Sequence, residues 1–306
     1  MPINVGVDLR DDATRALLAL AELPRVGDRR LHHLQQRARD WHLPLARIAD
    51  LPPNALRADL GLPAVAVERL ALARAWHEAR CDALAGALVA HGVELCPLGD
   101  PHYPVGWRSH GEPAPALAYL HGDPVLLRRP AVALLHSRII DAGTVAAIVH
   151  LARAVAAAGA ALAVGGMKTT HRLAAVTARA LGGSRLVVLD RGLLAAFAGR
   201  LDRDPFGLGP SRLRFDPHLT LVLTPFRPDD HALPRSGARR DALIAALADL
   251  VIAVRARDGG ELERLCLRAL RRGQRVAVWQ GHNRRLLAAG ATPLDDDNLR
   301  DLLPRA

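Results

Sequence analysis

Apolar positions along this chain follow two rhythms, and the change between them comes near Ala131. From Thr14 the spacing is helical: Leu17, Leu18 and Leu20 lead into Leu23-Pro24-Arg25-Val26-Gly27, and Arg29–Leu34 resumes the pattern. Short helices follow, interrupted at Pro44, Pro52-Pro53 and Pro63, and a longer helix from about Pro63 to Ala90 closes a small all-α domain. A helix, a short turn ending in glycine and a second helix read as a helix-hairpin-helix-like unit or as a plain helical hairpin. In the first case Gly27 lets the turn N–H groups approach a DNA phosphate. His91–Cys96 reads as a short strand. The stretch to Pro130, with six prolines between Leu98 and Pro130, reads as an ordered extended connector, because Tyr103, Trp107, Tyr119 and Leu117–Leu120 need a surface to pack on.

Beyond Ala131 the rhythm is that of alternating strands and helices. Short continuous apolar runs occur at Ala131–Leu135, Ala161–Val164, Leu186–Leu189, Leu219–Leu223, Leu250–Val254 and Val276–Trp279. Helical patterns lie between most of them, at Ala142–Ala158, Thr170–Leu181, Arg239–Ala248 and Glu261–Arg272, while Arg191–Arg214 reads as irregular. Strands buried on both faces give such runs, so the spacing predicts an α/β fold: a Rossmann-like, doubly wound, mostly parallel sheet preceded by the small all-α (helix-hairpin-helix or SAM-like) domain. The expected boundaries are 1–90 for the α domain, 91–130 for the connector with its first strand, and 131–306 for the Rossmann-like domain.

Composition narrows the class. Half of the 306 residues are apolar, yet no uninterrupted apolar run reaches membrane-spanning length, and no charged and apolar leader with a cleavage site precedes the first helix. The expectation is a cytoplasmic protein with no membrane association. Cys81, Cys96 and Cys266 lack metal-ligand spacing and read as reduced thiols, and the 14 histidines are scattered, so neither a metal nor another cofactor is expected. A formal charge of +10 points to a polyanionic partner, nucleic acid first, over a merely solvated arginine surface. Of the 41 cationic residues only Lys168 is lysine, and it stands in a glycine loop. Lysine meets phosphate as a compact point charge, where arginine offers a planar fork.

Three loops leave predicted strand ends and are placed to converge on one anion-binding crevice. In His136-Ser137-Arg138, Ser137 can hydrogen-bond a phosphate oxygen and Arg138 can pair with one. In the central stretch Gly165–Arg172, the pair Gly165-Gly166 lets the backbone approach a ligand, with Lys168 and Arg172 beside it at a helix start. Asp258-Gly259-Gly260 opens the helix from Glu261. The same glycines also serve as ordinary strand-to-helix turns. His171, at a helix start, reads as structural rather than catalytic, and Cys266, between Leu265 and Leu267, as core.

Taken in order, the residues resemble those of the DNA-processing protein A (DprA/Smf) family over nearly the full length. Leu23-Pro24-Arg25-Val26-Gly27 is similar to the family's LPGVG segment. Asp100, Tyr103-Pro104 and Pro115–Asp123 are similar to its YP…P-x-L-Y-x-x-G-D connector, and Val132–Arg138 to its AIVGSR strand and loop. Gly182-Gly183 through Gly192 resembles its GG-x-T-x-A-V-L-x-x-G-L run, and Asn283 through Leu299 its closing N-x-L-I-x-x-GA segment. Departures fall on the loops: His136 replaces the first glycine of GSR. In the SG-x-A-R-G-I-D loop Lys168 stands for arginine, Thr169 for glycine and His171 for aspartate, and Ala175 stands for a later histidine. Arg240-Asp241 keeps one arginine of the family's RNR, and Gly259-Gly260-Glu261-Leu262 stands for its SG-S-L.

The resemblance implies a single-stranded DNA-binding protein, not an enzyme, that protects DNA and helps load a RecA-type recombinase in recombination and natural transformation. It also implies a homodimer. The phosphate-binding set it supports, together with the loops above, is Ser137, Arg138, Gly165, Gly166, Lys168, Arg172, Arg240, Gly259 and Gly260. Aromatics are only 3% of residues, so binding should lean on phosphates rather than on base stacking. The rival is a nucleotide sensor or a nucleoside-monophosphate hydrolase on the same fold, with Glu261 or Glu263 as the acid near the ribose. In its place stands the simpler view that Glu261 favours a helix start and Glu263 makes a surface pair.

Overall fold

The computed structural model describes residues 12–109, 113–137, 141–166, 169–206 and 214–305. The chain folds as two compact units, one comprising Met1–Tyr103 and Pro113–Leu120, the other Pro104–Glu112 and His121–Ala306. These units divide the chain otherwise than the boundaries expected at residues 90 and 130.

In the first unit the leucine spacing is answered by helices. α1 (Asp12–Ala21) buries Leu17, Leu18 and Leu20, and α2 (Asp28–Asp40) buries Leu31 and Leu34. A tight turn of helix at Leu45–Asp50, α3 (Pro53–Ala58) and the long α4 (Ala64–Ala90) follow. Pro53 occupies the first turn of α3, where the N–H it lacks has no intrahelical partner. Leu17, Leu18, Leu23, Leu34, Ile48 and Leu88 are sealed from solvent, each burial contributing roughly 1.5–3 kcal/mol relative to exposure. Between α1 and α2 the left-handed residue is Arg25 (φ 60), whereas Gly27 is extended (φ −114) and caps α2. The conformational demand of this turn therefore falls on Arg25 and not on the glycine. β1 (Val93–Pro97) and β2 (Leu117–His121) lie side by side. Tyr103 donates its hydroxyl to the Pro115 carbonyl at 2.8 Å, and Asp28 accepts from the Ala116 N–H at 2.9 Å.

The second unit carries seven strands: β3 (Ala131–His136), β4 (Ala161–Gly165), β5 (Arg185–Val188), β6 (Thr220–Thr224), β7 (Leu250–Arg255), β8 (Arg275–Trp279) and β9 (Thr292–Leu294). Their order is β6-β5-β4-β3-β7-β8-β9 and every neighbouring pair among them is parallel. The connecting helices are α5 (Ala142–Ala157), α6 (Thr169–Ala180), the short α7 (Leu193–Phe197), α8 (Ser236–Leu247) and α9 (Glu261–Arg271), with α10 (Arg284–Ala288) and α11 (Leu299–Leu302) near the end. α5 packs on α6 and α8 on α9, the two pairs covering opposite faces as right-handed crossovers require. Trp107 is fully buried and donates its indole N–H to the Leu243 carbonyl of α8 at 3.2 Å. The chain builds β3 to β6 in one direction and returns to place β7 beside β3. The strand order thus reverses at β3, and in open α/β sheets ligands bind beyond the carboxyl ends at such a point.

A charged side chain lies inside this sheet. Arg185 of β5 is 0% exposed and donates to Asp204 at 2.6 Å and to the Thr220 hydroxyl at 3.2 Å. Asp204 is 1% exposed in its side chain and also receives Arg179 and the Phe206 N–H. The segment after β5 thus supplies the counter-charge to the strand. All three cysteines are free and buried, and burial pushes the Cys266 thiol up to about 12. Among the described residues no helix is long and apolar enough to cross a membrane.

Candidate functional site

The carboxyl ends of β3 and β7 are stitched together at the reversal point. The pairing register shifts between Leu135 and His136, so that His136 stands opposite Arg255. The Ser137 N–H donates to the Arg255 carbonyl at 2.7 Å, and the Ser137 hydroxyl oxygen accepts from the Arg257 N–H at 2.8 Å. Gly259 then takes a left-handed turn (φ +67), a conformation that favours glycine, and Gly260 caps α9. The result is an open crevice of about 570 Å³. It is lined by His136 and Ser137 from the β3 end, Arg240 and Asp241 from α8, and Arg257 through Leu262 with Arg264 from the β7–α9 turn. Of the residues expected to bind phosphate, the structure brings Ser137, Arg240, Gly259 and Gly260 to this crevice.

The central glycine loop does other work. Gly165 donates its N–H to Nδ1 of His171 at 2.8 Å, and Gly166 donates its N–H to the Val188 carbonyl at 3.1 Å. These are the two donors expected to face a phosphate, and both are spent inside the protein, which corrects that expectation. His171 is 1% exposed and packs against Gly165. A side chain at 165 would lie 2.5 Å from His171 Nδ1 and 2.7 Å from Arg240 Nε. Glycine is required there because the protein's own side chains, not a ligand, come close.

Neighbouring polar groups hold both rings. His136 Nδ1 lies 2.6 Å from the Ser137 carbonyl, which only accepts, so that nitrogen carries the proton. Its Nε2 and the Thr170 hydroxyl share a hydrogen bond. His171 accepts through Nδ1, and its ring stands edge-on to His136 with centroids 5.6 Å apart. Arg172 is turned elsewhere, its Nε donating to the Phe206 carbonyl at 3.3 Å, so it does not join the crevice. Arg138 and Lys168 lie outside the described residues.

Arg240 reaches the crevice with its charge already matched. It is 2% exposed and donates to Asp190 at 2.8 Å and to Asp241 at 2.7 and 3.0 Å. The cations that do face solvent here are Arg257 and Arg264, the latter donating to the Gly259 carbonyl at 2.9 Å. Neither stands out in the sequence, because one arginine among so many carries no positional signal.

Glu263 is the second correction. Instead of a surface pair it is 0% exposed, and its carboxylate accepts from Asn283 at 2.9 Å, Arg285 at 3.1 Å and the Gly259 N–H at 3.2 Å. The Asn283 hydrogen bond leads, with Gly259 and Arg285 behind it, in holding its pKa below the ordinary 4.5 against the opposing effect of burial. A depressed carboxylate pKa stabilises the fold above the ordinary value and loses that contribution as pH falls through the folded-state value. The stability advantage of the parent over Glu263→Gln, from urea midpoints, should therefore be full at pH 7 and shrink steadily below about pH 4.5. A gap that stays constant down to pH 3 would show that the charge of Glu263 is not what braces the turn. Among the described residues no group of three or more His, Cys, Asp or Glu side chains is arranged to hold a metal ion.

Comparison with known proteins puts this geometry in context. No protein of curated function matches the sequence. In fold, the chain is similar to DNA processing protein A from Streptococcus pneumoniae, with TM-score 0.66 and 17% identity over 97% of this chain and 99% of that one. It is also similar to DNA processing protein A from Helicobacter pylori, whose structure is described for its single-stranded DNA binding mode. There the TM-score is 0.51, with 18% identity over 68% of this chain and 93% of that one. At these identities the likeness is one of fold. A sequence model of the DNA recombination-mediator protein A family matches residues 94–298, which span the whole seven-stranded sheet and its crevice. By that match over more than half its length, the chain belongs to the DNA recombination-mediator protein A family.

Proposed function

We infer that this protein binds single-stranded DNA through its phosphates and passes it to a RecA-type recombinase during DNA processing. Family membership carries the reading, and the crevice at the strand reversal supports it. The solvent-facing Arg257 and Arg264 and the Ser137 hydroxyl offer charged and polar donors to a phosphodiester. A cytoplasmic homodimer acting in recombination and natural transformation is the setting the reading implies. Excess positive charge adds a non-specific attraction to any polyanion.

The test is a salt series with labelled oligo-dT and with duplex DNA of equal length. Binding to the single strand should be the tighter and fall log-linearly with salt, and Arg257→Gln should flatten the slope by about 0.7, the value for one lost phosphate contact on a single strand. Affinity indifferent to salt would overturn the reading. The nucleotide-hydrolase rival loses one of its two acids, since Glu263 is sealed and fully engaged, and keeps Glu261 at the crevice. Release of free base from nucleoside monophosphates would establish that rival.

A further inference from the structure

Next to the crevice, on the same face of the sheet, α8 and α9 enclose a groove of about 590 Å³. Arg235 and Arg239 line it from the start of α8, Arg264 and Arg268 from α9, and Phe226 from the loop after β6. Asp241 and Glu261 are its acidic residues, so cations outnumber anions four to two. The crevice proper is more evenly matched, with Arg240 already held by Asp190 and Asp241. Arg235 and Arg268 are exposed, and neither pairs with a carboxylate among the described residues. Arg264 and Arg268 sit one helical turn apart, where side chains share a face. Arg272 continues that row, and burial, then the nearby Arg268, hold its pKa below the ordinary arginine value. Like charges gathered this closely on one helix repel, and a bound polyanion relieves the repulsion.

Phe226 supplies what phosphate binding alone does not use. It is half-buried at the groove wall, and the Arg239 guanidinium lies 5.4 Å from its ring centroid. A ring backed by a cation is a stacking surface for a nucleobase, indifferent to which base it is.

We propose that the α8–α9 groove is the main track for single-stranded nucleic acid, with Arg235, Arg264 and Arg268 on successive phosphates and one base stacked on Phe226. This rests on the single-stranded DNA reading and relocates its centre. With the Gly165 and Gly166 donors used inside the fold, the strand runs along the arginine row instead of into the central loop.

Three variants and three probes test it. Arg235→Gln/Arg268→Gln removes two side chains that hold no other group, so the fold should keep its circular dichroism and melting temperature. On a 20-nucleotide oligo-dT the double variant should lose about tenfold in affinity, and its salt slope should flatten by about 1.4, two contacts at roughly 0.7 each. Phe226→Ala should lose roughly five- to a hundred-and-fiftyfold on oligo-dT and nothing on an abasic backbone of the same length. If the double variant binds oligo-dT as the parent does while Arg257→Gln weakens it, the groove proposal falls and the crevice reading stands. A parent protein that does not bind oligo-dT overturns both. Poly-glutamate displacing the parent from oligo-dT as well as unlabelled oligo-dT does would make the groove a site for an acidic polypeptide and overturn the proposal.

Discussion

Asp204→Ala should lower the unfolding free energy by about 3–5 kcal/mol, the usual result of stripping one partner from a buried ion pair. Asp204 faces a guanidinium that no water reaches: Arg185 is fully enclosed in β5, and burial pulls its pKa down while Asp204 pulls it back up. Without the carboxylate, Arg185 keeps the Thr220 hydroxyl, a neutral partner that cannot offset the charge. The segment after α7 would lose its anchor as well, because the same carboxylate receives Arg179 and the Phe206 N–H. Since domains are typically stable by only about 5–15 kcal/mol, a loss of this size should be plain in urea midpoints and in soluble yield. The double variant Arg185→Met/Asp204→Leu should regain most of the loss, because apolar replacement of a whole buried pair is often neutral. A single variant within about 0.5 kcal/mol of the parent, the range usual for surface substitutions, would show that the pair holds nothing.

Arg185 also shows where the sequence stopped being legible. The strands around it were readable because parallel strands buried on both faces are written as continuous apolar runs, and the runs at 131, 161, 219, 250 and 276 became β3, β4, β6, β7 and β8 nearly to the residue. The arginine opening β5 falls outside its apolar run at Leu186–Leu189, and its partner is 19 residues away in a stretch whose glycines, prolines and charges show no period. β9 hid for a different reason: three residues with Pro293 at their centre carry no strand signal, and such a strand survives only at a sheet edge. The turns at Ser137 and Gly259-Gly260, which line the crevice, were legible as turns because small residues after a strand mark one. Gly165 was equally conspicuous, yet its cause was misassigned. Glycine spacing reports close approach without saying by what, and here His171 and Arg240 are what approach. The arginines of the groove carried no signal of their own, and only the packing of α8 on α9 gathers them.

Arg240→Ala separates a phosphate ligand from a structural ion pair, and it should behave as the second. Its side chain is 3% exposed and bridges Asp190, just beyond β5, to Asp241 on its own helix, while its Nε packs against Gly165. Removal leaves Asp190 without its cation in a site sealed from most solvent, although Asp190 keeps Arg191 at 3.1 Å. The expected cost is again about 3–5 kcal/mol, read from urea midpoints, nearer the lower figure because of that second partner. Arg240→Lys should recover only part, since one ammonium cannot reproduce the planar fork that spans two carboxylates. The decisive comparison is the salt slope of oligo-dT binding, measured where each variant is still folded. Arg257→Gln should flatten the slope, because its guanidinium faces solvent, whereas Arg240→Ala should leave it as in the parent. An Arg240→Ala protein that keeps its urea midpoint and loses slope would reverse the assignment, making this arginine a ligand for DNA and the Asp190 pair incidental.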